Sequence, residues 1–124
     1  MKPQSAKNKG RTLQKHVCKK LGDAFEGYRG ITGEDFMSRS MGANGTDVVI
    51  SPLAKRVIGD IPIECKNVEK LNVPQVFFAH AAKYPSKTAL LVHKKNQTIP
   101  LATLRFSDFM ALLEKAVRYD HEEK

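Results

Sequence analysis

A chain of 124 residues, 41% of them hydrophobic, has room for one compact domain with a single core, and a second independent domain would be too small to stabilise itself. The net charge of +8, with basic residues recurring along the chain, favours a polyanionic partner, nucleic acid ahead of an anionic membrane, because Lys and Arg release the counterions condensed on a phosphate backbone. Two cysteines are too few for a disulfide framework, and neither a signal peptide nor a bilayer-spanning stretch is visible, so a cytoplasmic protein with reduced thiols is expected.

Residues 1–10 combine Lys, Pro, Ser, Asn and Gly with almost no apolar content and read as a mobile basic arm. From Arg11 onward Leu13, Val17 and Leu21 recur every four residues with Lys15, Lys19 and Lys20 turned outward, which predicts an amphipathic helix ending near Gly22. The stretch EGYRGITGED, residues 26–35, carries three glycines and no period, so an irregular connector is expected. A short strand is predicted at Phe36–Ser40. After the turn residues of MGANG comes the β-branched run Val48–Ile50. Ser51–Asp60 is read as a turn, and Ile61–Lys66 as a strand returning to pair with 48–50 as a hairpin.

Residues 73–84, VPQVFFAHAAKY, predict a helix capped by Asn72, with Pro74 in its first turn and Val76, Phe77, His80, Ala81 and Tyr84 along one stripe. A strand over 88–95, a shorter one near Thr98–Phe106, and a helix begun by Ser107 with Phe109, Leu112, Leu113 and Ala116 on its apolar side complete the single domain, 11–119. The terminal 120–124 reads as a solvated tail. A helix between strands 61–66 and 88–93 forms a crossover that makes those strands parallel, giving an α/β fold with a mixed central sheet flanked by helices.

The residues that carry chemistry lie in GTDVVISPLAKRVIGDIPIECKN, residues 45–67. Side chains alternate along a strand, so Ile61, Ile63 and Cys65 share one face while Glu64 and Lys66 share the other. Asp47 opens the neighbouring strand, so all three polar groups can converge at one end of a sheet. Two carboxylates, with the backbone carbonyl of Cys65 and water, suit a hard cation such as Mg2+, with Mn2+ as a substitute. Lys66 beside them suits stabilisation of charge at phosphorus.

Asp47 followed by Glu64-Cys65-Lys66 resembles the PD-(D/E)XK nuclease superfamily, and the stretch from about Lys9 to His93 resembles its archaeal-type Holliday-junction resolvases. The resemblance implies a restriction-endonuclease-like fold and Mg2+-dependent hydrolysis of DNA backbone phosphodiesters at four-way junctions, in recombination and repair. It implies Asp47 and Glu64 as metal ligands with the Cys65 carbonyl, and Asp47, Glu64, Lys66 and Gln14 as the catalytic set. KGRTLQKHVCKKLG is similar to the family's first helix, where an acidic residue stands at the position of Gln14 and a basic one at that of Lys15. SRSMGANGTD is similar to the Arg-Ser-Gly-rich approach to the aspartate, and VPQVFFAHA resembles the glutamine-bearing helix that follows the motif; the resemblance implies Arg11, Lys15, Arg39 and Ser40 as DNA contacts, and Gln75 as a support for Lys66 or for the metal's water shell. Family members are homodimers, which places helix 73–84 and the adjoining strand at a dimer interface. No small-molecule cofactor and no membrane role is implied.

Two other readings share these residues. A restriction-type, nicking or repair endonuclease would use the same carboxylates and lysine on linear DNA. A non-catalytic DNA-binding protein on the nuclease fold would explain the missing acid at Gln14, although two carboxylates aimed at a phosphate would repel it unless a cation intervened. Glu34 and Asp35 read as loop acids, and the four histidines show no paired spacing that would make a zinc site.

Overall fold

The computed structural model describes the backbone of residues 3–40 and 45–123 and the side chains of 8–40 and 45–118. The expected turn at residues 41–44 and the side chains of the expected tail lie outside the described residues. Helix α1 (Pro3–Phe25) buries Leu13, Val17 and Cys18, with Leu21 and Phe25 packed at the edge of the same cluster. It begins well before Arg11, so residues 3–10 are helical where an arm was expected. Proline is tolerated in a first turn, whose amide has no intrahelical partner, and a packed amphipathic segment propagates helix into polar sequence more easily than it nucleates one. The helix also runs past Gly22. A Cβ there would sit 3.1 Å from Gly33 Cα, so this glycine serves a close backbone approach rather than a helix stop.

The connector forms two 3-10 turns, Tyr28–Gly30 and Gly33–Asp35. Asp35 closes a capping box with Thr32 and accepts a hydrogen bond from Ser51 Oγ at 2.5 Å. Those hydroxyl and amide donors hold its carboxyl below the usual range. Its role is to tie the connector to the next helix.

Strand β1 (Phe36–Ser38) pairs antiparallel with β2 (Val48–Ile50). The hairpin expected between 48–50 and 61–66 does not form, because Pro52–Ile58 is a helix, α2, capped by Ser51, whose hydroxyl accepts from Ala54 N at 3.0 Å. Ser-Pro is an N-cap followed by a first-turn proline, a helix start that also reads as a turn. β2 meets the following strand, β3 (Ile63–Asn67), at one backbone bond, from Asp47 N to Ile63 O at 3.1 Å.

The crossover forms as the pattern predicts. Helix α3 (Val73–Ala82) starts at Asn72, whose side chain accepts from Gln75 N, and leads to β4 (Leu90–Lys94), parallel to β3. Strand β5 (Leu101–Thr103) lies antiparallel to β4, and α4 (Phe106–Glu123) follows. The described residues thus form a mixed α/β structure with four α-helices and two small sheets, one antiparallel and one mixed, where a single central sheet was expected. One core cluster lies between α1 and the strands; a second, around Phe77, Ala81, Ala89 and Leu91, lies between α3 and β4.

Candidate active site

Strand β3 is the edge of its sheet, with β4 on one side. Its open edge faces Asp47: Ile63 O accepts from Asp47 N, and Cys65 N donates to Asp47 Oδ2 at 2.8 Å. The amide and carbonyl of one strand residue emerge on the same side, so the Cys65 carbonyl belongs to this edge too. The Cys65 side chain goes into the core, 5% exposed, where burial pushes its thiol up; burial likewise raises Cys18 to about 11. Both thiols are buried among apolar side chains, which disfavours the thiolate.

Glu64 and Lys66 leave the opposite face, as the alternation requires. Lys66 Nζ stands 3.6 Å from Glu64 Oε1. The Glu64 carboxyl, 23% exposed, is pushed above its ordinary value first by burial and then by the charge of Asp47; Lys66 and His80 pull it partly back. Two neighbouring carboxyls, one of them partly buried, repel each other when both are charged, a repulsion that a cation between them would relieve. Asp47, from a separate segment of the chain, is therefore brought to the strand that carries Glu64 and Lys66.

The floor of the site comes from α3. Glu64, Lys66, Gln75, Val76, His80 and Lys83 line a cleft of about 490 Å3, which puts Gln75 on the same cleft as Lys66. His80 is 5% exposed, its Nε2 lies 2.9 Å from Pro62 O, and its Nδ1 lies 3.8 Å from Glu64 Oε2. A proton on Nε2 is required to bond the carbonyl, which turns Nδ1 toward the carboxyl. On sequence alone His80 is one residue of the stripe along the helix at 73–84. Its place on the apolar stripe with Val76, Phe77 and Ala81 marked it as buried, but nothing local marked Glu64 as its neighbour.

The remaining predicted residues surround the site unevenly. Gln14, 5% exposed, accepts from Ser38 Oγ at 2.9 Å and so joins α1 to β1, with Arg11 and Lys15 exposed beside it on the helix. Ser40 is exposed just beyond β1. Arg39 is held more firmly: its Nε donates to Thr46 O at 2.6 Å, and its guanidinium lies over Gly45, where a Cβ would come within 2.7 Å of Cζ. Gly45 has φ +112, a left-handed conformation that strains any residue with a Cβ. Arg39 also lines a cleft of about 180 Å3 in the split between the two sheets, together with Lys55, Lys87, Tyr84 and Asp60. Asp60 holds both lysines, Lys87 at 2.8 Å and Lys55 at 3.8 Å. Three cations against one carboxylate suit an anionic ligand, a grouping that spacing along the chain does not reveal.

Among the described residues no three His, Cys, Asp or Glu side chains gather into a group able to hold a metal ion. Asp47 and Glu64 offer two carboxylates at an edge that also carries a carbonyl, a donor set of the kind a hard cation keeping several of its waters would take. Asn67, where β3 ends, has a buried Oδ1 with no hydrogen-bond partner among the described residues. No described helix is long and apolar enough to cross a membrane. Compared with family models, curated proteins and solved structures, the chain matches none of them.

Proposed function

We propose that this chain is a metal-dependent DNA endonuclease that acts on four-way junctions. The observation that carries the reading is the meeting of Asp47, Glu64 and Lys66 at the open edge of β3. Its resemblance to the PD-(D/E)XK pattern supplies the substrate class. Asp47 and Glu64, with the Cys65 carbonyl, would hold Mg2+ or Mn2+, which when bound supplies positive charge to a phosphate that gains charge during hydrolysis.

The chain's own groups do the rest. Cys65 N–H fixes the Asp47 carboxylate against β3. His80 borders Glu64 from the buried side and limits where that carboxyl can turn. Lys66, with 42% of its side chain exposed, is placed to hydrogen-bond water or a phosphate oxygen in the cleft. Arg39, Arg11 and Lys15 contribute phosphate contacts, and the Lys55 and Lys87 cleft extends the basic track beside Arg39. Paired cuts in a two-fold symmetric junction call for two such sites, hence a homodimer.

Gln14 favours a second reading. It is neutral and buried where the resemblance expects an acid, which suits a DNA-binding protein that does not cut. Cleavage of a synthetic junction, a linear duplex and a single strand of the same sequence, with Mg2+ or EDTA, separates the readings. The expected result is symmetric nicks on the junction alone, abolished by EDTA and reduced by at least about a thousandfold in Asp47→Asn while binding persists. Cutting of linear duplex would move the protein to a restriction-type or repair nuclease. Tight binding without cutting under any metal would establish the binding role, and no binding at all would remove nucleic acid as the ligand.

A further inference from the structure

The carboxyl ends of parallel strands are where α/β units usually seat a ligand. Here β3 ends at Asn67 and β4 at Lys94, side by side in register, and beside them opens a pocket of about 390 Å3 that the nuclease reading leaves unused. Val68, Leu71 and Val73, from the β3–α3 connection and the start of α3, line it together with Ile99 and Leu101 from the β4–β5 hairpin. Val68, Ile99 and Leu101 are 44%, 76% and 56% exposed, so the pocket keeps apolar surface that the chain itself does not cover.

The walls are tied to one another. Val68 N donates to Lys94 O at 3.2 Å, and Asn96 N donates to Glu69 Oε1 at 3.0 Å, which joins the connection to the hairpin at two points. Within the hairpin, Thr98 Oγ1 accepts from Lys95 N and donates to Lys95 O, and Gln97 takes φ +60, a left-handed conformation uncommon for a residue with a Cβ. The pocket is therefore shaped without a ligand in place.

We propose that this pocket binds a nucleoside monophosphate, its base between the aliphatic walls and its phosphate at Lys94 and Lys95. The inference goes beyond the nuclease reading and does not rest on it. Size is the first of three features that select this chemistry: the volume lies at the small end of the roughly 300–1,000 Å3 of ligand pockets, room for one nucleotide and not for a duplex end. Charge is the second. Lys94 and Lys95 line the pocket and no acidic side chain does, so two ammonium groups face the double charge of a phosphomonoester.

The third feature is a polar group set among the apolar ones. His93 lines the pocket with its Nε2 2.9 Å from Thr103 Oγ1, a bond that engages one ring nitrogen and leaves the other for a ligand. A hydroxyl can donate or accept, so the remaining nitrogen can serve as either acceptor or donor. An acyl chain laid over it would desolvate it without a partner, whereas the edge of a nucleobase supplies one. His93 is also the register partner of Lys66 on the neighbouring strand, so the pocket adjoins the cleft that holds Glu64 and Lys66. The nucleotide can come free from solution or unstacked from a strand whose backbone lies in that cleft; the chemistry recognised is the same.

Calorimetric titration of the full chain with deoxyadenosine monophosphate in EDTA, together with the His93 ring signals in NMR spectra, tests the proposal. The monophosphate is expected to bind and to move those signals, with deoxyadenosine and inorganic phosphate each binding at least about tenfold more weakly. Ile99→Asp and Lys95→Glu, both at exposed positions, are expected to lose at least about tenfold in affinity while keeping a cooperative thermal transition. Lys19→Glu, the same charge change on α1, is expected to bind as the wild type does, as is Asp47→Asn, which separates this pocket from the cutting site. Displacement by a short single strand assigns the pocket to a nucleotide of a strand, and failure to displace assigns it to a free nucleotide; the proposal stands in both cases. No heat and no shift at about 10 mM monophosphate overturns it. Binding that Ile99→Asp and Lys95→Glu both leave intact overturns it too, as does inorganic phosphate bound as tightly as the monophosphate. Octanoate bound more tightly than the monophosphate overturns it in favour of an acyl ligand.

Discussion

On one face of β3, Ile63 and Cys65 are 2% and 5% exposed and pack among Leu13, Val17 and Cys18. On the other, Glu64 and Lys66 look onto a cleft floored by α3. One residue of sequence separates a core position from a chemical one because side chains alternate along a strand. The apolar face fixes the strand in place, and that rigidity is what keeps Glu64 and Lys66 beside Asp47. The cost appears on the polar face, where a carboxyl is kept partly buried next to another acid.

This division can be broken from either side. Ile63→Ala, on the core face, is expected to cost about 2–5 kcal/mol in denaturant unfolding, the penalty of a lost aliphatic side chain and the cavity it leaves. An unchanged midpoint would mean that the core does not depend on this face of β3. On the polar face, His80→Phe keeps a ring in the buried slot and removes the bond to Pro62 O. Leu90 N still donates to that carbonyl, so the expected loss is only about 1 kcal/mol. Its sharper effect is on Glu64: without the imidazole, the carboxyl titrates at still higher pH, which carboxyl-resolved NMR would follow.

The smallest effect has the opposite sign. Glu64 has its carboxyl raised in the folded protein, so folded chains hold a proton that unfolded chains have already released. Below the ordinary value near 4.5 both states are protonated and Glu64 contributes no difference. As pH rises through the window up to the raised value, stability falls relative to Glu64→Gln. In EDTA the Gln variant should therefore melt above the wild type at pH 8 and nearly level with it at pH 4. Mg2+ should raise the wild-type Tm and leave the variant's unmoved. A wild type that is the more stable of the two at pH 8 in EDTA would show that Lys66 and His80 outweigh the burial.

The two long helices show how far periodicity carries. Leu13, Val17 and Leu21 in α1 and Phe109, Leu112, Leu113 and Ala116 in α4 make equally regular stripes, and both segments are helical. Only the α1 stripe is covered by the chain itself. Periodicity reports a face that needs cover without saying what provides it. The turn expected over 51–60 became α2 for a related reason, since Ser51-Pro52 serves a turn and a helix start alike until Ser51 finds Asp35 and Ala54.

Local chemistry determined much of this protein from sequence alone. The alternation of Ile63, Glu64, Cys65 and Lys66, the Asn72 and Pro74 start of α3 and the parallel crossover to β4 all follow from periods and caps that act within a few residues. Tertiary structure alone decided which strand β2 would join, that Cys65 N–H would hold Asp47, that His80 would stand against Glu64, and that Arg39 would share a cleft with Lys55 and Lys87. Those outcomes depend on contacts between residues far apart in the chain, whose closeness is set by how whole faces pack and not by the spacing of their letters.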